Sequence, residues 1–307
     1  MSKGEGGNRP RQVPAAIRRL LRQEAGFGCC KCGNPLLEYH HIRPWHEVRT
    51  HNPDDMIALC PTCHDTYGRL EESLARDLKA CPKNLADGRL SGRLYTNAGD
   101  APIHAGGNIL HLSGAAIAIF NYPLLSCHIH NGVIEISVTL FSAGLTPTLV
   151  IHRNDVLARV PAFIDLEHRV NYLSCRDKLT GSKFYLDFRN NARIIGGILT
   201  NGPLPVIEIG KDGITVICGT DATEPSTLAG ATLDGYFAAF ALHTDNISCI
   251  APHEPHDPFS QFVIYSADGE PVLQRDLGEL LKGGLVHRLG ANKPISRSGV
   301  RPGIFVG

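Results

Sequence analysis

Two Cys-x-x-Cys pairs, Cys29 with Cys32 and Cys60 with Cys63, constrain this chain more than any other feature. Each pair can present two thiolates, and the 27 residues between Cys32 and Cys60 leave room for a strand, a loop and a return. Both pairs can therefore meet at one tetrahedral Zn2+ at about 2.3 Å per Zn–S bond. A closed shell of four thiolates has no position left for water, so a zinc held this way is structural. Cys30, inside the first pair, reads as a spare buried thiol. Of the ten cysteines, five fall within residues 29–63 and the others are scattered singly, a pattern of metal ligation and reduced thiols rather than disulfides.

Histidines lie between and after these pairs, and a purely structural zinc site does not need them. His40 and His41 are adjacent in Leu36-Leu37-Glu38-Tyr39-His40-His41-Ile42, which reads as a strand ending at Pro44. Adjacent strand residues point to opposite faces, so the two histidines must do different work. His64 follows the last cysteine, where a helix is predicted to begin near Cys63 and to run through EESLARDLKA to Pro82. One strand histidine and the helix histidine could hold a divalent cation while the other strand histidine activates water.

The segments GFGCCKCGNP, EYHHIRP and DDMIALCPTCHD, within residues 14–75, resemble the HNH endonucleases, the ββα-metal nuclease group. By that resemblance His41 is the general base, and His40 with His64 binds the catalytic cation, Mg2+ or Mn2+. Many relatives carry Asp at the position of His40, and either residue ligates metals. Alignment on Leu59-Cys60 puts Asp55 where the family has an Asn that braces the loop, with Asn52 as a second candidate. Asp accepts such hydrogen bonds but cannot donate them. Arg43 would grip the scissile phosphate, and Trp45 would pack the hairpin; His46 and His51 have no assigned role. The substrate implied is DNA.

Ahead of this segment, residues 1–13 read as a basic arm and AAIRRLLRQEA as a short helix begun at Pro14 and stopped at Gly26, with Ile17, Leu20 and Leu21 on one face. Arg18, Arg19 and Arg22 form its other face, either solvated or gripping phosphate. Residues 1–95 carry 15 Lys/Arg against 11 Asp/Glu, leaving 15 against 19 downstream, so a basic part is joined to an acidic one. Only the first is suited to a polyanion.

A Gly-, Pro- and Asn-rich stretch between Pro82 and about Asn108 predicts a linker, with the boundary near residue 95. Beyond it VIEISVTLF, TPTLVIH, FYLDF, ARIIGGIL, PVIEIG and ITVICG are β-branched runs separated by turn residues, the pattern of an all-β domain whose strand order is not readable. The expected fold class is α+β: residues 1–95 a small zinc-containing ββα-metal domain, residues 96–307 a mostly-β domain for targeting, sensing or homo-oligomerisation. Cys127-His128-Ile129-His130 places two histidines on one face of a strand. The last dozen residues read as a tail. The N-terminus lacks the apolar core of a signal peptide and no run reaches membrane-helix length, so a cytoplasmic protein is expected. The alternative function is a non-catalytic zinc ribbon that binds nucleic acid, which would need the cysteines but not His41.

Overall fold

The computed structural model describes residues 12–67, 71–96, 102–110, 114–119, 122–130, 132–141, 147–189, 193–200, 206–217, 226–233, 238–242, 247–248, 262–265 and 271–275. Most of the basic arm and the whole C-terminal tail lie outside them. Helix α1 (Ala15–Glu24) starts at Pro14, whose fixed φ suits an entry. Its buried face differs from the expected one: Leu21 and Arg22 are inside, while Leu20 is 41% exposed. The chain reverses at Gly26 and Phe27, at φ of +62° and +65°.

Strand β1 (Glu38–His41), helix α2 (Trp45–Val48) and strand β2 (Met56–Leu59) follow. β1 and β2 pair antiparallel, with His40 opposite Ile57 and His41 opposite Met56. The expected single helix is two. Helix α3 (Pro61–Tyr67) starts before Cys63, because Pro61 fits a first turn and the Cys63 amide donates to the Cys60 sulfur at 3.4 Å. Helix α4 (Glu72–Ala80) starts afresh after Glu71, which is extended backbone. Ala25, Ile42, Ile57, Leu59 and Ala75 close a core around the buried thiols, with Leu37, Tyr39 and Leu78 packed on it.

The stretch expected as linker carries helix α5 (Lys83–Asp87) and strand β3 (Arg89–Arg93). Two of its turn residues mark helix ends: Pro82 precedes α5 and Gly88 caps it in the left-handed region at φ +68°. Then come β4 (Ile103–Ala105), β5 (Asn108–Leu110), β6 (Gly114–Ile119), β7 (Tyr122–His130), β8 (Val133–Phe141), β9 (Pro147–His152), β10 (Asp155–Arg159) and β11 (Phe163–Arg169). β12 (Tyr172–Asp177), β13 (Lys183–Asp187), β14 (Ile194–Thr200), β15 (Val206–Ile209), β16 (Ile214–Ile217) and β17 (Ser226–Leu228) continue the series. β18 (Thr232–Leu233), β19 (Ala238–Leu242), β20 (Ile247–Ser248), β21 (Phe262–Tyr265) and β22 (Pro271–Arg275) complete it. Each of the six β-branched runs named from sequence contains a strand.

Among the described residues one sheet runs β20-β19-β6-β7-β8-β9-β10-β3, and a second runs β11 to β17 in chain order with β4, β5 and β18 attached. Most neighbours are antiparallel, with parallel pairs at β6–β19, β4–β14 and β5–β18. The sheets share one apolar core, with Ile134, Ile136 and Val138 of β8 and Leu166, Leu173, Phe184 and Ile195 of the second sheet all buried. Burying each such side chain contributes about 1.5–3 kcal/mol.

The cysteine-containing part packs on strands that end these sheets, with α1 against β11 and α5 against β3. Phe27 inserts into the β core, and the Gln23 side chain donates to the Ile164 carbonyl at 2.8 Å. The Arg22 guanidinium makes a bidentate bond to Asp165 at 2.8–3.0 Å, and Arg19 lies 3.3 Å from the same carboxylate. This corrects the expected basic face of α1: Arg22 is neither solvated nor available to phosphate, because an acidic strand 143 residues later takes it.

Candidate metal centre and active site

The sulfur atoms of Cys29, Cys32, Cys60 and Cys63 all lie within 4.8 Å of one another. The Cys32 and Cys60 sulfurs are 3.6 Å apart, close to the ~3.8 Å edge of a tetrahedron with zinc–thiolate bonds. Burial alone would raise the Cys29 thiol, but backbone N–H groups of Cys32, Cys60 and Lys31 bring it below its ordinary value. Burial, with the neighbouring sulfurs, pushes Cys32 up to about 11 and Cys63 higher still. Such a donor set, in which thiolates repel until a cation sits among them, fits Zn2+. Cys30 points elsewhere: it is 3% exposed, burial pushes it up to about 12, and its backbone N–H bonds the Ala58 carbonyl.

Asn84 clamps the first cysteine pair, a role the sequence reading missed. Its side-chain amide donates to the carbonyls of Gly26 and Gly33 at 3.2 and 3.0 Å, while the Lys83 amide donates to the Cys30 carbonyl. Gly28 and Gly33 face Asn84 so closely that a Cβ on either would run into it, and Gly33 also has φ +81°. Those two positions need glycine.

The three predicted histidines divide around β1. His40 Nδ1 lies 2.9 Å from His64 Nε2, so a strand residue and a helix residue meet at their ring nitrogens. The second nitrogen of His64, Nδ1, is 2.6 Å from a Glu38 carboxylate oxygen. A carboxylate behind a histidine fixes its tautomer and leaves the other nitrogen for a metal. Burial, with the His64 and His41 rings nearby, holds His40 below the usual histidine range. The pair fits a divalent cation.

His41 is elsewhere, facing the loop between the strands. Its Nε2 lies 3.2 Å from His51 Nδ1, and its ring tilts against Trp45 at 5.1 Å between centroids. Trp45 stacks on His51 at 4.7 Å and 24°. Trp45 thus packs the hairpin, as expected. His51, without a role from sequence, touches the candidate base. His46 is exposed, 3.7 Å from Glu47.

The Asp55 carboxylate accepts from Arg76 of α4 at 3.0 Å and from the Asn52 side chain at 3.3 Å. The Arg76 hydrogen bond first, then Asn52 and the charge of Arg43, hold it below the ordinary carboxylate range. Asp55 therefore uses only the accepting half of a bracing Asn, with Arg76 as the donor. Arg43 is exposed at the end of β1, beside this loop.

A cysteine-knuckle domain with a histidine cluster on its hairpin is thus joined to a β-rich body. Residues 29–70 match the family model described as HNH endonuclease, and that match and the four-cysteine cluster fit an HNH zinc-binding domain. No curated protein and no solved structure matches the chain. Among the described residues, no helix is long and apolar enough to cross a membrane.

Proposed function

We propose that the chain is a metal-dependent HNH endonuclease that hydrolyses DNA phosphodiester bonds from a ββα-metal site. The observation that carries this reading is the division of histidines: His40 and His64 converge with a carboxylate behind them, while His41 is turned to another face. A zinc ribbon that only binds nucleic acid has no use for that arrangement. In the proposed step His41 takes a proton from water. The water O–H bond breaks as its oxygen attacks phosphorus, and the P–O3′ bond then breaks. A divalent cation on His40 and His64 would supply positive charge for the phosphorane and the departing oxygen. Of the expected ions, Mn2+ suits two imidazole nitrogens better than Mg2+. Arg43 grips the phosphate, and Asp55 braces the loop through Arg76.

The β-rich part serves targeting, sensing or homo-oligomerisation in this reading, and the protein works in the cytoplasm. The test is plasmid cleavage by the zinc-loaded chain with Mn2+ or Mg2+, beside His41→Ala. Nicking by the parent and a loss of about 10²–10⁴-fold in the variant is the expected result. Binding without cleavage by either protein would leave the nucleic-acid-binding ribbon as the function.

A further inference from the structure

The contact between His41 and His51 has no counterpart in the roles assigned above. The loop after β1 is shaped to make it. Helix α2 ends at Arg49 in the left-handed region, φ +45°, and the chain turns back so that His51 lies against β1. Asn52 then caps a short 3-10 turn, Pro53–Asp55, by accepting from the Asp54 amide at 3.3 Å. Trp45 stacks on one side of the His51 ring and also leans on His41. His51 is thus held by its neighbours with Nδ1 toward His41 Nε2 at 3.2 Å.

We infer that His51 is a positioning residue for His41, an inference that rests on the proposed nuclease reading. Two neutral imidazoles facing each other nitrogen to nitrogen can place only one proton between them. The contact therefore ties the tautomer of His41 to that of His51 and restrains the His41 ring. With Trp45 against both rings, the contact also fixes the direction in which His41 Nε2 faces. The arrangement does for His41 what Glu38 does for His64, with an imidazole in place of a carboxylate. An orienting group of this kind acts on the rate of the step and not on DNA binding.

Two substitutions separate the nitrogen contact from simple packing. His51→Phe keeps a ring for Trp45 and removes the nitrogen; His51→Asn keeps a polar atom near the position of Nδ1 and removes the ring. With Mn2+ and a DNA oligonucleotide under single-turnover conditions, His51→Phe should lower the cleavage rate about 10- to 100-fold with half-saturating DNA unchanged. His51→Asn should recover most of that loss, although it packs less well. Parental rate in His51→Phe, equal loss in both variants, or a loss confined to DNA affinity would overturn the inference. A second readout does not depend on cleavage: long-range 1H–15N spectra, with the His41 signals assigned by their loss in His41→Gln. One tautomer in the parent and in His51→Asn, replaced by a mixture in His51→Phe, is the expected result, and an unchanged His41 signature in His51→Phe would overturn it. If the spectra change as expected while no protein cleaves DNA, the nuclease reading fails and the positioning contact stands.

Discussion

Replacing Arg22 with alanine should detach the cysteine-containing part from the β sheets at a cost of about 3 kcal/mol. The Arg22 side chain is 8% exposed and its partner Asp165 20%, with Glu167 3.9 Å away at 28%. Truncating one member of a buried, bidentate pair typically costs about 3–5 kcal/mol, because the remaining charge stays buried without its counter-charge. Arg19, 3.3 Å from the same carboxylate but 47% exposed, offsets part of that loss and sets the expectation at the lower end. The chain has one tryptophan, Trp45, in the cysteine-containing part, so urea unfolding followed by its fluorescence reports that part directly. The Trp45 transition should move to lower urea in Arg22→Ala, ahead of the loss of β-sheet circular dichroism. A cycle with Arg22→Met, Asp165→Leu and the double variant isolates the pair. The double variant should be milder than the two single losses summed, with a coupling of about 2 kcal/mol. A coupling below about 0.5 kcal/mol, or an unshifted Trp45 transition in Arg22→Ala, would refute the argument that this ion pair holds the two parts together.

Two further expectations concern buried polar groups. His168 on β11 is 3% exposed, neither ring nitrogen has a hydrogen-bond partner among the described residues, and burial lowers it from 6.5 to about 4. Below pH 6.5 the unfolded chain takes up a proton that the folded chain refuses until about pH 4, so stability is lost as pH falls through that window, by about 3 kcal/mol. Urea midpoints at pH 7 and pH 4.5 should therefore differ less in His168→Phe than in the parent, and equal differences would count against the burial argument. Asn84→Ala strips the Gly26 and Gly33 carbonyls of their donor and should cost about 2 kcal/mol. Asn84→Asp, which turns a carboxylate toward those oxygens, should be worse. Thermal melting and the rate of zinc release to a chromogenic chelator would show both, and a harmless Asn84→Asp would refute the clamp.

What was legible in the sequence is what depends on short spacing. The Cys-x-x-Cys pairs, the adjacent His40 and His41, and the β-branched runs carry their geometry in a few consecutive residues, and the structure assembles them as read. What was hidden depends on distant partners. Arg22 looks like any arginine on a short helix until Asp165 is brought to it, and Asn84 is one polar residue in an apparent linker until its amide reaches Gly26 and Gly33. His51 needed the turn at Arg49 to face His41. Strand order was hidden for the same reason: parallel pairs such as β6 with β19 join segments more than a hundred residues apart.

Strand β1 is where these distant and local constraints meet. Glu38 and His40 lie on one face with His64, while Tyr39 and His41 share the other. Burial raises the Tyr39 hydroxyl, but the Arg22 guanidinium reaches it and draws it back. One guanidinium therefore touches both Asp165 of the β sheet and the residue two positions before the end of a strand whose neighbouring side chain on that face is His41. The overall charge split has the same origin: part of the excess acid in the β-rich half neutralises arginines of α1, so charge near the site must be counted after docking. Arg43 is exposed on the hairpin side beside Asp55, while Arg22 is buried against the body of the protein and half-exposed Arg19 leans on the same carboxylate. A basic first half is therefore less basic toward a ligand than its composition implies, and DNA affinity in the proposed reading should depend on the β1–β2 loop more than on α1.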